Sequence, residues 1–300
     1  MKRKISLVVI PIVAIALVWY LFIKPNDYLV SFTANTFPGA INQTIKNWDK
    51  RMGVNTSIKQ KNLLELEQEL KFGDSLIHYN WTIIPITDST SKVKVSIKDV
   101  SHSLMNKIMI PFTSTVLEKR SKKNLINFNH LLNDHINKFK VKVVGEDELK
   151  PTHCAYLTIE GLQSEKAFGM IREFPFLSGF VKQHNLKVNG TPFVEIKKWN
   201  RTNDSIVYDF CYPIVKTDSL PFHTEIKYKE FGGMKALKAI YNGNYMTSDR
   251  AWYKLMDYAG KHNIELENKP VELFYDNPSM GGNELEWKAE IFMPLKNTDE

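Results

Sequence analysis

Apolar and polar positions change period several times along the chain, and each change predicts an element. "DYLVSFTANT" alternates as a strand does, and "PGAINQTIKNWDKRM" behind it reads as a helix. "SLIHYNWTIIPITDSTSKVKVSIKDV" holds two β-rich runs around the turn-forming "TDSTSK", a hairpin signature. From about residue 111 to 138, Val116, Leu117, Leu125, Ile126, Phe128, Leu131, Leu132 and Ile136 recur at helical spacing. Strand, helix, meander and long helix in that order predict an α+β domain over residues 27–138, in which a curved sheet wraps a helix.

The chain opens on a different pattern, "MKRKISLVVIPIVAIALVWYLFIK". Lys2, Arg3 and Lys4 precede an apolar run from Ile5 to Ile23, which at helical rise covers roughly 28 Å, close to the hydrocarbon thickness of a bilayer. The run is long for a signal-peptide core, and no small-x-small site follows it. Trp19 and Tyr20 suit an interface, and Pro11 is tolerated in membrane helices. Residues 1–24 are therefore expected to be a transmembrane anchor. The basic cluster would stay in the cytoplasm, and the chain after Lys24 would be exported as periplasmic or extracellular domains.

From about residue 140 the pattern repeats itself. "KQHNLKVNGTPFVEI" at 182–196 answers "GKHNIELENKPVELF" at 260–274, and "VYDFCYPI" at 207–214 answers "KAEIFMPL" at 288–295. Each half, 140–220 and 221–296, reads strand, helix, strand, strand. A pseudo-twofold pair of βαββ modules follows, with helices on one face and a groove between the modules on the other. Aligning Pro213 with Pro294 sets Asp209 opposite Glu290. By strand parity Glu290 shares a face with Phe292 and opposes the core set Trp287, Ala289, Ile291 and Met293. A solvated sheet face is one reading of that carboxylate, and a ligand anchor is the other.

Composition narrows the chemistry. A net charge of +7 and a pI near 9.1 invite an anionic partner, but the lysines are scattered among acids and no DNA-reading motif is present, so nucleic-acid binding is not expected. Two cysteines, Cys154 and Cys211, exclude a disulfide scaffold and a four-cysteine zinc site. Either a disulfide or two buried thiols would suit them. The eight histidines show no HExxH or other ligand spacing, and neither metal nor cofactor is expected.

The second half carries a resemblance. Gly-x-Tyr after a strand, an aromatic-bearing helix, a Pro-x-Glu strand with Tyr275, the Asp276-Asn277-Pro278 turn and the closing Glu-Ile-x-x-Pro resemble the GyrI-like effector-binding family. That domain ends AraC- and MerR-type multidrug-responsive bacterial regulators. Over 140–296 the resemblance implies a small-molecule (effector) binding module for amphipathic or cationic compounds, with Glu290 at the groove floor and Asp209 at the symmetric place. Tyr241, Tyr245, Tyr275 and Phe292 lie on the matching elements as ligand-binding candidates. It also implies an alternative, a hydrolase of strained cyclopropane-containing compounds, in which Glu290 and Tyr245 would be catalytic. The element order of 27–138 resembles the START-like (SRPBCC, polyketide-cyclase type) helix-grip domain, which implies a hydrophobic cavity and a second alternative, lipid binding.

Overall fold

Val93, Val95 and Ile97 are fully buried while the alternate Lys92 and Lys94 are exposed, which is the period-two division that makes a strand with one core face. The same logic runs through two sheets in this computed structural model, which describes residues 2–52 and 55–296. The chain separates into two units, one ending at Asp134 and the other beginning at His135.

The first unit comprises α1 (Lys2–Val18), β1 (Tyr28–Ala34), α2 (Pro38–Arg51), β2 (Asn55–Asn62), β3 (Glu65–Phe72), β4 (Ser75–Thr87), β5 (Thr90–Asp99), α3 (Ser103–Met109) and α4 (Val116–Ile136). Its strands form an antiparallel sheet in the order β1-β5-β4-β3-β2. Three rings fill the space between sheet and helices. Trp81 of β4 lies 4.9 Å from Phe128 of α4, and Trp48 of α2 lies 5.4 Å from Phe128 and 5.8 Å from Trp81, centroid to centroid. The polar atoms that come with these rings are satisfied: Trp81 Nε1 donates to Gln68 Oε1 at 3.1 Å, and Gln68 Nε2 donates to Asp49 Oδ1 at 2.8 Å.

The expected membrane anchor does not stand. Among the described residues, no helix is long and apolar enough to cross a membrane. The α-helical ladder of α1 stops at Val18, 17 residues long, and Trp19–Ile23 continue as a π-helical turn. At 1.5 Å per residue α1 reaches about 26 Å, short of a bilayer core of roughly 30 Å. Its C-terminal end is tied to α3 instead. Lys107 Nζ donates to the carbonyls of Leu21 (3.2 Å) and Lys24 (2.5 Å), and the Tyr20 hydroxyl donates to the Lys107 carbonyl (3.1 Å). The expected transmembrane helix, the exported topology and the membrane as a partner fall with that finding.

The second unit comprises β6 (Phe139–Leu149), β7 (Thr152–Leu162), α5 (Lys166–Gln183), β8 (Phe193–Asn200), β9 (Ser205–Pro213), β10 (Lys227–Phe231), β11 (Met234–Gly243), α6 (Arg250–His262), β12 (Val271–Phe274) and β13 (Lys288–Pro294). Its eight strands run β10-β7-β9-β8-β12-β13-β11-β6, an order that reads as two matching halves from the centre outward. Equivalent points agree in detail. Asn185 and Asn263, just past the two helices, both adopt left-handed backbone (φ 52° and 56°), which asparagine tolerates and which ends a helix. Asn189 N–H donates to the Pro213 carbonyl at 3.0 Å, and Glu267 N–H donates to that of Pro294 at 2.8 Å.

Helices cover one face of this sheet. Tyr208 of β9 donates its hydroxyl to the Lys166 carbonyl of α5 at 3.1 Å, so the even positions of β9 face that helix. The approach is close enough to require glycine at 169, where a Cβ would lie 2.2 Å from the Tyr208 hydroxyl. Glu272 of β12 faces the same way and forms a buried ion pair with Lys166, and Lys166 Nζ also donates to Ser248 Oγ at 2.8 Å. Because the Lys166 helix belongs to one half and Glu272 and Ser248 to the other, this polar joint fixes the halves together.

Candidate functional site

Along α5, Ala167, Met170, Ile171 and Phe174 recur at i, i+3, i+4 and i+7, so one helix stripe turns toward the sheet. Small Ala167 and close-packed Gly169 let the helix approach, and the stripe walls a cavity of about 280 Å³. Phe210 and Tyr212 of β9 form its floor, and Tyr245, Phe274 and the segment Tyr275–Ser279 form the far wall. The rings support one another, Tyr245 lying 4.8 Å from Phe274 and Phe174 6.1 Å from Tyr212.

Hydrogen bonds pin the far wall. The Tyr245 hydroxyl donates to the Lys288 carbonyl at 2.8 Å and accepts from the Asp276 N–H at 3.1 Å. Burial, together with the charge of Asp276, pushes the Tyr245 phenol well above its ordinary value, so the ring stays neutral. Asp276 Oδ2 accepts from the Lys288 N–H at 2.6 Å, and Asp276 makes no ion pair among the described residues. An apolar, ring-lined hollow with one carboxylate on its wall can enclose a flat or branched apolar body and attract a positive group attached to it.

The sequence candidates divide between the two faces of the sheet. Tyr245 lines the cavity with its ring, whereas Tyr275 touches the cavity's edge and turns its ring to the outer face, beneath Lys288 and bonded to Glu290. Tyr241 lies on the helix face but is fully buried, its hydroxyl donating to the Asn244 carbonyl at 2.8 Å. Phe292 faces away from the helices, in a buried cluster with Cys154, Phe193, Cys211 and Val271, in which both cysteines are free thiols. Glu290 shares that outer face and is already neutralised, by Lys288 at 2.8 Å and Lys238 at 3.2 Å, while the Tyr275 hydroxyl donates to it at 3.0 Å. Burial raises the Glu290 carboxyl, but the hydrogen bonds from Lys288, Tyr275 and Lys238 outweigh it and hold the group below its ordinary range. Asp209 is also on the outer face, ion-paired with Lys229 and accepting from Thr158 Oγ1 at 2.7 Å. Lys229 is shared with Glu195 at 2.5 Å.

The expected groove thus differs from the observed one: the cavity is on the helix face, where α5 supplies a wall that parity along β13 could not reveal. Sequence reading missed Phe174, Phe210, Tyr212 and Phe274 as lining residues and did not single out Asp276 as a charge facing the site. Two signals carry them, the period-two ring series Tyr208, Phe210, Tyr212 and the helical apolar stripe beginning at Ala167.

Comparison with known proteins places this unit. The GyrI-like small molecule binding domain matches residues 147–296. No curated protein sequence matches the chain. Among solved structures, the EcmrR C-terminal domain is 17% identical, with 53% of this chain and 99% of that chain covered at a TM-score of 0.44. SAV2435 bound to tetraphenylphosphonium is 13% identical, with 53% and 94% covered at 0.34. A hydrolase from Listeria innocua is 10% identical, with 51% and 92% covered at 0.33. None of these comparisons supports the START-like reading of the first unit. Since the family match spans half of the chain, the protein belongs to the GyrI-like small molecule binding domain family.

Proposed function

We propose that the second unit captures one amphipathic, cationic small molecule in the helix-face cavity. Phe174, Phe210, Tyr212, Tyr245 and Phe274 enclose its apolar body, and Asp276 meets its positive group. One observation carries this reading: Asp276 lacks a cationic partner among the described residues, whereas Glu290 and Asp209 each have a lysine. Asp276 is exposed at the cavity wall, so it can meet a cation without first being stripped of water, and the ring faces add an attraction of about 0.5–1 kcal/mol.

Binding is favoured over hydrolysis by the arrangement of Glu290 and Tyr245. The Tyr245 hydroxyl is engaged by the Lys288 carbonyl, and Glu290 receives the hydroxyl of Tyr275 instead. Two lysines also make Glu290 a weaker base, the reverse of what activating a water requires.

Calorimetric titration tests the proposal with benzyltrimethylammonium and its neutral isostere neopentylbenzene. Asp276→Asn keeps an acceptor for the Lys288 N–H and removes the charge. It should weaken the cation by about 0.5–1 kcal/mol and leave the isostere unaffected. Glu290→Gln should change neither. Loss of cation affinity in Glu290→Gln with none in Asp276→Asn would move the site to the outer face.

A further inference from the structure

The cavity does not end the apolar surface at this site. Ile171 of α5 lines the cavity and is yet 48% exposed, and Met280, next in sequence to the lining residue Ser279, is 84% exposed. Three residues before Ile171, on the same helix surface, Phe168 stands 59% exposed. Phe168, Ile171 and Pro175 form a stripe that leads from the cavity onto the solvent side of α5. Contiguous exposed apolar side chains beside a ligand cavity mark surface that the ligand covers.

Volume points the same way. About 280 Å³ is at the low end for a ligand site and holds one or two rings, so a larger molecule must leave the cavity at its mouth. The ionic side chain nearest the stripe, Arg172, is ion-paired with Glu173 at 2.6 Å, so its charge is met by its neighbour.

We infer that the ligand is a single-chain amphiphile, its compact cationic head enclosed in the cavity and its hydrocarbon tail lying on the Phe168–Ile171 stripe under Met280. The inference rests on the cavity reading proposed above. It sets the ligand class by length: affinity is a function of the chain, not of the head alone.

The experiment is a series of benzyldimethylalkylammonium ions with butyl, octyl and dodecyl chains, kept below their micelle concentrations and titrated into the full chain. Only the component displaced by excess benzyltrimethylammonium is counted, which removes association elsewhere on the protein. Affinity should rise about twofold per added methylene over the butyl-to-octyl range, part of the gain for full burial because the stripe stays half open to water. Phe168→Ser, outside the cavity on a solvent-facing helix position, should lower the octyl affinity at least fivefold while benzyltrimethylammonium binds as in the wild type. A head that binds with no dependence on chain length, or a dependence that Phe168→Ser leaves intact, overturns the stripe and leaves the cavity reading standing. Failure of every member, the head included, overturns both.

Discussion

The two units both set helices against one face of an antiparallel sheet, yet the layer between is closed in one and open in the other. In the first, Trp48, Trp81 and Phe128 meet ring to ring within 6 Å and their polar atoms are absorbed by Gln68, Asp49 and Asn127. In the second, comparable rings stand around the margin of a void, because α5 contributes Ala167 and Gly169 where the first unit contributes indoles. Aromatic content alone therefore does not announce a site. The size of the residue facing the rings decides whether they pack together or wall a cavity.

The largest effect should come from opening the closed layer. Trp81→Ala removes a fully buried ring that touches two others and leaves Gln68 without its donor, at a cost of about 3–5 kcal/mol. Guanidinium unfolding followed by far-ultraviolet dichroism should show a transition moved to lower denaturant. An unchanged midpoint would mean that the ring layer is loosely packed and that the contrast between the units is unfounded.

Next comes the close approach that holds the open layer in shape. A Cβ at residue 169 meets the Tyr208 hydroxyl, so Gly169→Ala must push α5 outward or break the bond to the Lys166 carbonyl. Destabilisation of about 1–3 kcal/mol is expected, with weaker ligand binding because the α5 wall moves. The same substitution at Gly179, where a Cβ has open space, should be neutral or slightly stabilising and serves as the control.

Filling the open layer should separate stability from function. Ala167→Leu adds a side chain into the void, so stability should change by less than about 1 kcal/mol, while affinity for benzyltrimethylammonium falls at least tenfold, about 1.4 kcal/mol. A severe loss of stability would instead show that the wall at Ala167 is already packed.

Much of this architecture was legible in the sequence, and the reasons differ by element. Short strings carried backbone geometry, since "HN" after each helix marks a left-handed turn and each "P" a strand end that a loop bonds to, but the edge strands do not follow the expected halves 140–220 and 221–296: β6 pairs with β11 and β10 with β7. The family was legible from separated motifs that recur in order. The first helix was misread because hydropathy reports composition and not hydrogen bonding: the run from Ile5 to Ile23 is apolar but for Ser6, and its α-helical part ends at Val18. Parity correctly set Glu290 and Phe292 on one face, but a strand pattern cannot say which face the helices cover or which lysines arrive from neighbouring strands. Lys238 reaches Glu290 from β11, and no spacing along β13 shows it.

The smallest effect concerns that outer face. Glu290 sits between Lys238 and Lys288 with its carboxyl held below the ordinary value of 4.5, the hydrogen bonds outweighing burial. A depressed carboxylate stabilises the fold above the unfolded value, and that stability is lost as pH falls through the folded value. The cluster is partly open to water, so screening reduces its contribution to about 0.5 kcal/mol. Glu290→Gln should therefore lower the melting temperature slightly at neutral pH, and the difference from wild type should shrink as pH falls below the ordinary value of 4.5 and vanish once pH has passed the depressed folded value. A difference that persists in acid would assign the effect to packing and not to charge. A loss of cation affinity at neutral pH, with Asp276 intact, would show that the outer face, not the open layer under α5, holds the ligand.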